Sequence, residues 1–135
     1  MGQSREMKTL ILDTNFLMIP HQHRVDIFRE IERIIVARYE LLVPTGVIEE
    51  LQGIQGEGSA DGIAAKVALQ LIDDRDRHIR TIHSHGDVDD FILEFAVDNM
   101  GSVVCTNDKE LKRRLRKYRI PVVHLRGKNR LELIN

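Results

Sequence analysis

The six residues Leu10-Ile11-Leu12-Asp13-Thr14-Asn15 place an apolar run directly before an aspartate. A short apolar run that ends in polar residues predicts a buried strand. Aspartate is rarely buried unless another group offsets its charge, so this position at the end of a strand needs an explanation. A turn is the simplest one. A site at the carboxyl end of the strand would explain the aspartate and also the two polar residues that follow it.

Length and composition limit the class of protein. The chain has 135 residues, of which 42% are hydrophobic and 30% charged, and these values predict one globular domain over residues 1–135. No apolar stretch approaches the roughly 18 residues of a membrane span, and the first ten residues lack the hydrophobic core of a signal peptide. We therefore expect a cytoplasmic protein with no membrane partner. The single cysteine, Cys105, agrees with a reducing compartment and is interpreted as a small packed hydrophobe.

The charges are unevenly distributed although the net charge is only -1. Residues 40–98 contain 13 acids and 4 bases, whereas residues 109–130 contain 10 of the 20 lysines and arginines. One region is therefore suited to cations and the other to phosphates.

Short apolar runs alternate with segments of helical periodicity, which predicts βα units around a parallel sheet. The predicted strands are residues 9–12, 40–43, 79–82, 102–105 and 121–125. Helical spacing is shown by five groups of apolar residues: Val25, Phe28, Ile31 and Ile35; Val47, Ile48 and Leu51; Ile63, Val67 and Leu71; Val88, Phe91, Ile92 and Phe95; and Leu111, Leu115 and Tyr118. The glycine-rich segment 53–62 is predicted to be a mobile loop.

Acidic residues follow several of these strands, where the carboxyl ends of a parallel sheet gather at one edge. The candidates are Asp13, Glu49, Glu50, Asp87, Asp89, Asp90 and Asp108. Two like charges about 4 Å apart at an effective dielectric near 20 repel by about 4 kcal/mol, so a cluster requires a cation or protons. Oxygen ligands without sulfur suit Mg²⁺ or Mn²⁺. Such a site predicts metal-assisted hydrolysis of phosphodiesters.

Each acid also has a structural interpretation. Asp87 is expected to cap the fourth helix, with Asp90 three residues later in the position of a capping box. Asp89 would complement the helix dipole, and Asp108 would cap the helix that begins KELK. Glu49 and Glu50 point about 100° apart on a helix, so only one of them is expected to face the site.

Four segments, LILDTNFLM, VPTGVIEEL, DVDDFILEFA and VVCTNDKELKRRLRK, together resemble the acidic motifs of the PIN-domain ribonucleases, in order and over nearly the whole chain. The resemblance implies a three-layer α/β/α sandwich with a five-stranded parallel sheet of order 3-2-1-4-5. It also implies Mg²⁺ or Mn²⁺ and cleavage of single-stranded RNA. By position, the catalytic acids match Asp13, Glu50, Asp89 and Asp108, with Asp13, Asp89 and Asp108 as metal ligands. The polar supports of the pocket match Asn15, Thr106 and Asn107.

Within that family, TNDKELKRRLRK is more similar to the rRNA-processing members than to the toxin-type members. The resemblance therefore implies a role in rRNA or general RNA processing and a ribosome-assembly partner. A toxin-type nuclease with an antitoxin partner stays an alternative, as does a PIN-like module that binds RNA or protein without cutting. Family habit also suggests a homodimer.

The basic segment after Asp108 predicts a nucleic-acid partner independently of the resemblance. Seven lysines and arginines lie between residues 109 and 119, against one glutamate. With Leu111, Leu115 and Tyr118 as the expected buried stripe, the cations cover the exposed faces and can contact phosphates, although a solvated helix face is the alternative. The candidate RNA-binding residues are Lys109, Lys112, Arg113, Arg114, Arg116 and Lys117. Because only 4% of the residues are aromatic, we expect little reading of bases by stacking.

A zinc site is a weaker alternative. His83-Ser84-His85-Gly86-Asp87 resembles part of the metallo-β-lactamase motif, but that motif continues with a histidine where this chain has Val88. His21 and His23 are expected to lie in a loop and not to bind metal.

Overall fold

The computed structural model describes residues 7–135 and contains six strands and seven α-helices within that range. In chain order, the elements are β1 (Lys8–Leu12), α1 (Thr14–Leu17), α2 (Ile19–His23), α3 (Ile27–Ile34), β2 (Tyr39–Pro44), α4 (Thr45–Gln55), α5 (Ala60–Asp73), a 3₁₀ turn (Arg75–Arg77), β3 (Ile79–Ile82), α6 (Val88–Asp98), β4 (Ser102–Cys105), α7 (Lys109–Lys117), β5 (Val122–Arg126) and β6 (Arg130–Ile134).

The sheet has the order β3-β2-β1-β4-β5-β6. The first five strands are parallel in the predicted order 3-2-1-4-5, so this part of the prediction is confirmed. The sixth strand was not predicted: β6 returns antiparallel to β5 through a tight turn at residues 127–129. Its sequence, RLELI, alternates between polar and apolar residues as an edge strand should, and Gly127, with a φ of 64°, makes the turn. The sequence therefore contained a signal for this strand.

Strand β1 lies at the centre of the sheet because its side chains are apolar on both faces. Leu10 and Leu12 pack into the core beneath α1 to α5, whereas Ile11 packs into the second core beneath α6 and α7. All three are fully buried. A near-continuous apolar run of this kind is what a parallel strand covered by helices on both faces requires. The three-layer α/β/α prediction is therefore confirmed.

The strand order reverses beside β1, because the chain leaves it toward β2 on one side and returns to β4 on the other. The carboxyl ends of β1 and β4 are joined by the backbone N–H of Asp13, which donates to the carbonyl of Cys105 at 3.0 Å. This switch point is the usual ligand edge of an open α/β sheet. The fold thus places Asp13 where a ligand site is expected.

Two local predictions of loops differ from the structure. His21 and His23 belong to the short helix α2 and not to a loop, since Pro20 near the start of α2 presets the helical backbone angle. Segment 53–62 is mostly helical: α4 continues to Gln55 and α5 begins at Ala60, because the glycines of the segment are tolerated near helix ends.

Two predicted burial patterns also differ. Ile63 is 54% exposed, and α5 instead buries Gly62, Ala64, Ala65 and Ala68, whose small side chains allow close packing against its neighbours. Tyr118 is 57% exposed, because α7 ends at Lys117 and its stripe is completed by Ile120. Helical spacing alone identifies the helix but not the exact buried face.

Helix α4 starts in close contact with the loop before α6. A Cβ on Gly46 would lie 2.8 Å from Cγ2 of Val88 and 3.1 Å from Oγ of Ser84. We expect Gly46→Ala to destabilise the fold by about 1–3 kcal/mol in urea unfolding, as overpacking does. Gly53→Ala in the same helix is the matched control: it meets nothing within 4 Å, so it should be neutral or stabilise by up to about 1 kcal/mol. Equal stability of the two variants would contradict this account.

No helix within residues 7–135 is long and apolar enough to cross a bilayer. The prediction that the chain begins without a signal peptide concerns residues 1–10, of which 1–6 lie outside the described part.

Candidate functional site

Asp13 is the buried acid of the site, with only 3% of its surface exposed. Its Oδ1 accepts a hydrogen bond from the backbone N–H of Thr14 at 2.8 Å. Its Oδ2 accepts one from the Thr106 hydroxyl at 2.7 Å and a longer one from the Asn15 amide at 3.4 Å. Burial is the largest influence and raises the pKa of Asp13, which the Thr106 and Thr14 hydrogen bonds partly offset. The fold thus holds this carboxylate in one orientation at an energetic cost.

A second group of hydrogen bonds ties Asn15 to the loop after β4. The backbone N–H of Asn107 donates to Oδ1 of Asn15 at 2.8 Å. The Asn107 side chain turns away from the acids, and its Oδ1 accepts from the backbone N–H of Leu125 in β5 at 2.8 Å. Asn15 and Thr106 therefore hydrogen-bond Asp13 directly, whereas Asn107 connects the loop after β4 to the neighbouring strand.

Glu50 approaches the same edge from α4. Its Oε1 accepts a short hydrogen bond from the hydroxyl of Thr14, the residue directly after Asp13. This contact selects Glu50 over its neighbour Glu49, an alternative that the sequence pattern left open. The threonine of LILDTN therefore orients a second acid of the site.

Asp89 lies in the first turn of α6, half-buried and without a hydrogen-bonded partner of its side chain within residues 7–135. Burial, followed by repulsion from Asp13, Asp108, Asp87 and Glu50, raises the pKa of Asp89 to about 6. A pKa that is raised by burial and by several neighbouring carboxylates indicates a cluster of negative charge without a compensating cation.

Asp87 and Asp108 make the predicted caps, whereas the Asp90 side chain does not complete the predicted capping box. Asp87 accepts from the backbone N–H of Asp90 at 3.0 Å and caps α6, while Asp90 forms an ion pair with Arg114 at 2.8 Å. Asp108 caps α7 by accepting from the N–H of Leu111 at 2.7 Å. Its own backbone N–H donates to the Thr106 hydroxyl at 3.0 Å. Thr106 thus links Asp108 to Asp13.

The donor set suits a hard divalent cation. Across the described residues, no three His, Cys, Asp or Glu side chains are close enough to chelate one ion directly. Mg²⁺ usually keeps several waters and is held by only one or two carboxylates, so direct chelation by three groups is not needed. Burial and, after it, repulsion from the other acids raise the pKa of Asp89, and a bound cation would offset that repulsion. Oxygen ligands favour magnesium or manganese over zinc.

The six predicted RNA-binding cations of α7 divide into two groups. Three are engaged: Lys112 contacts Nδ1 of His124 at 3.0 Å, Arg113 pairs with Glu110, and Arg114 pairs with Asp90. The exposed residues Lys109, Arg116 and Lys117 form no ion pair within residues 7–135. Of the predicted RNA-binding residues, Lys109, Arg116 and Lys117 therefore remain available to phosphate, on the exposed side of α7.

The HSHGD segment has a structural role that the pattern of residues did not reveal. Ser84 Oγ accepts from the backbone N–H of Gly46 at 2.8 Å, and the Ser84 N–H donates to the hydroxyl of Thr45 at 2.9 Å. These bonds fix the start of α4, which carries Glu50, to the loop that leads into α6, which carries Asp89. His83 and His85 are exposed and belong to no metal-binding group of the described chain, so the zinc interpretation finds no support.

Cys105 is fully buried at the end of β4, as predicted. Burial raises the pKa of its thiol, which keeps it protonated. A buried neutral thiol of this kind is a core residue and not a reactive group.

Thr106→Val should damage the site while leaving its shape almost unchanged. The residue is fully buried, and valine would leave both Oδ2 of Asp13 and the N–H of Asp108 without this partner. We expect a loss of about 1–3 kcal/mol in urea unfolding, with a further rise in the pKa of Asp13. Thr106→Ser keeps the hydroxyl and serves as the control. Equal losses in both variants would show that the methyl group, and not the hydroxyl, is what matters.

Comparison with known proteins gives one consistent result. A family profile described as a PIN-like domain matches residues 10–128. Ribonuclease VapC4 of Methanocaldococcus jannaschii is 30% identical over 128 residues, covering 94% of this chain and 97% of the relative. The rRNA-processing protein fcf1 of Schizosaccharomyces pombe is 29% identical over 109 residues, and the match spans only 53% of its length.

A solved structure also matches. The structure of the PIN domain endonuclease Utp24 has a TM-score of 0.74 and 25% identity, covering 93% of this chain and 90% of the other.

Proposed function

Since this chain belongs to the PIN-like domain family, we propose that it is a divalent-metal-dependent endoribonuclease that hydrolyses phosphodiester bonds in single-stranded RNA. The observation that supports this proposal best is the hydrogen bonding that brings three of the acids together at the carboxyl edge of the sheet: the Thr106 hydroxyl joins Asp13 to the N–H of Asp108, and Thr14, the residue after Asp13, donates to Glu50. Relatives named as ribonucleases and an endonuclease agree with this activity. Residues 1–135 act in this proposal as a single nuclease domain.

Asp13, Asp89 and Asp108 would hold the cation, Mg²⁺ or Mn²⁺, and Glu50 is the fourth catalytic acid. When bound, the cation would activate water and stabilise negative charge on phosphate oxygens. The protein contributes preorganisation: Thr106 orients Asp13, and Thr14 orients Glu50 before RNA arrives. Groups fixed in advance need no rearrangement during the reaction.

The exposed cations of α7 would position RNA over the acids. Lys109 is the first residue after the Asp108 cap, so the positive surface begins at the acid edge. Contacts to phosphate hold a strand without reading its sequence. We therefore expect cleavage with weak sequence preference.

The assay that tests the activity compares the parent with Asp89→Asn on single-stranded and duplex RNA, in Mg²⁺, Mn²⁺ or EDTA. We expect cleavage of the single strand only, dependent on the metal and reduced by about 100-fold or more in the variant. Asp98→Asn, at the exposed end of the same helix, should cleave like the parent. Metal-independent cleavage, or equal cleavage by Asp89→Asn, would refute the proposed activity. Binding without any cleavage would favour the non-catalytic module.

We assign the activity to rRNA or general RNA processing, with a ribosome-assembly partner, on the likeness to the rRNA-processing protein fcf1. A toxin-type nuclease with an antitoxin partner is the second candidate, because this chain covers 97% of Ribonuclease VapC4 and only about half of fcf1. Expression in growing cells separates the two. Growth arrest that Asp89→Asn relieves would favour the toxin type, whereas unimpaired growth would favour processing.

A further inference from the structure

A groove runs along the outer side of the sixth strand, between α3 and the hairpin formed by β5 and β6. Its volume is about 390 Å³, and the charged side chains that line it are three arginines and one glutamate. The arginines are Arg33 from α3 and Arg126 and Arg130 from the hairpin. Their planar guanidinium groups match the geometry of phosphate oxygens, which they can contact through two parallel hydrogen bonds.

The hairpin sets two like charges against each other. Arg126 and Arg130 are directly opposed in the antiparallel register, an arrangement that destabilises a strand pair. Arg126 is paired with Glu132 at 2.8 Å, but Arg130 is exposed and forms no ion pair within residues 7–135. An anion bound between the two arginines would offset this repulsion.

The acids near the groove already have partners. Glu132 accepts from Arg126 and contacts His124, while Glu30 accepts from Arg33 and from the backbone N–H of Leu131. Neither glutamate forms an ion pair with Arg130 within residues 7–135, although Arg130 lies close enough to Glu30 for their charges to interact. Three arginines against these two glutamates leave the groove with a net positive charge.

The backbone at this edge is partly covered, which argues against an added peptide strand. The outward N–H of Leu131 donates to Oε1 of Glu30 at 3.0 Å, and its carbonyl accepts from Arg33 at 3.2 Å. A peptide strand would have to displace this ion pair in order to form its hydrogen bonds. An extended chain that needs only charge contacts, such as an RNA backbone, would not.

The hairpin that lines the groove is connected to the acid edge of the sheet. Because β5 is parallel to β4, Arg126 emerges at the same edge of the sheet as Asp108. Asn107 links the two strands through Leu125 and is itself bonded to Asn15. Three strand spacings of about 4.8 Å separate β1 from β6, so the groove lies about 14 Å or more from Asp13.

We propose that this groove, lined by Arg33, Arg126 and Arg130, binds backbone phosphates of the RNA several nucleotides away from the bond that is cut. The inference rests on the proposed function, since it extends the same substrate beyond the acids. It predicts that affinity increases once an RNA is long enough to reach the hairpin.

The test measures RNA binding and not cleavage. Full-length protein carrying Asp89→Asn, in Mg²⁺ buffer, is titrated with a trinucleotide and with a single strand of about 20 nucleotides, which is longer than the roughly 4–16 nucleotides that one single-strand-binding domain contacts. Adding Arg126→Ala and Arg130→Ala should weaken binding of the long RNA by about tenfold and reduce the slope of log affinity against log salt by about 1.4, which corresponds to two phosphate contacts. The affinity for the trinucleotide should change by less than about twofold, since it does not reach the groove.

The control carries Arg75→Ala and Arg80→Ala, which remove two exposed arginines from the 3₁₀ turn before β3 and from β3, the edge strand opposite β6, and it should bind both RNAs like the parent. The single variant Arg130→Ala breaks no ion pair of the described chain, so it controls for misfolding of the double variant. It should give about half of the change in the slope of log affinity against log salt. If the long RNA binds all variants equally, the groove has no role in RNA binding, even if the protein cleaves RNA. If cleavage fails while the groove variants still weaken binding, only the proposed enzymatic function is wrong.

Discussion

Asp13→Asn is expected to reduce RNA cleavage by at least about 100-fold, the usual cost of removing a fixed charge from a catalytic site. Asparagine keeps the size of the side chain but removes the charge that attracts the cation. It also places an amide donor where one oxygen now accepts a hydrogen bond, from either the Thr106 hydroxyl or the Thr14 N–H. The measurement is the initial rate of single-strand cleavage at saturating Mg²⁺.

The same variant should remain folded. Burial raises the pKa of Asp13, so at neutral pH the folded protein without metal bears the cost of a buried charge that the unfolded chain does not. Asparagine removes that cost, and the melting temperature in EDTA should be equal to or higher than that of the parent. Asp73→Asn, on an exposed position at the end of α5, is the control for charge removal. A large loss of stability in Asp13→Asn would contradict this expectation, because the misplaced amide donor would then cost more than the buried charge.

Magnesium is expected to stabilise the protein strongly at neutral pH and weakly in acid. The folded pKa of Asp89 is raised to about 6, above the ordinary value of 3.8. The folded state therefore binds more protons than the unfolded chain between these values, and in EDTA the contribution of Asp89 to stability falls as the pH rises from about 4 to 6. Above pH 6 the carboxylate is charged and available to a cation.

Mg²⁺ at 100 times its Kd would add about 2.7 kcal/mol of stability, or roughly 10 °C in melting temperature, at pH 7.5. The gain should shrink at pH 5 because protons compete for the same carboxylates. The gain is the difference in melting temperature between Mg²⁺ and EDTA, measured by thermal unfolding at both pH values. Asp89→Asn should lose most of the gain at pH 7.5. A gain that is equal at both pH values, or that persists in this variant, would place the ion elsewhere.

The local pattern of the chain predicted five strands in a parallel sheet and the carboxyl-end positions of the acids, whereas the strand order 3-2-1-4-5 was implied by the resemblance to the PIN-domain ribonucleases. This succeeded because Leu10, Ile11 and Leu12 can only be buried on both faces, and because the end of such a strand lies at the sheet edge. The sixth strand was missed since its alternating pattern is half-polar and short. Together with α3 and the end of β5, this strand lines the groove that contains Arg33, Arg126 and Arg130.

The division between sequence and tertiary structure follows from the range of the interactions. Periodicity and strand ends are local properties, so LILDTN by itself determined a buried strand that ends in an acid. The choice of Glu50 over Glu49, the bond from Thr106 to Asp13 and the opposed Arg126 and Arg130 join residues from different elements. Only packing brings these groups within reach of one another. The raised pKa of Asp89 has the same origin. Folding buries this carboxyl group and brings it to the same edge of the sheet as acids that are far from it along the chain.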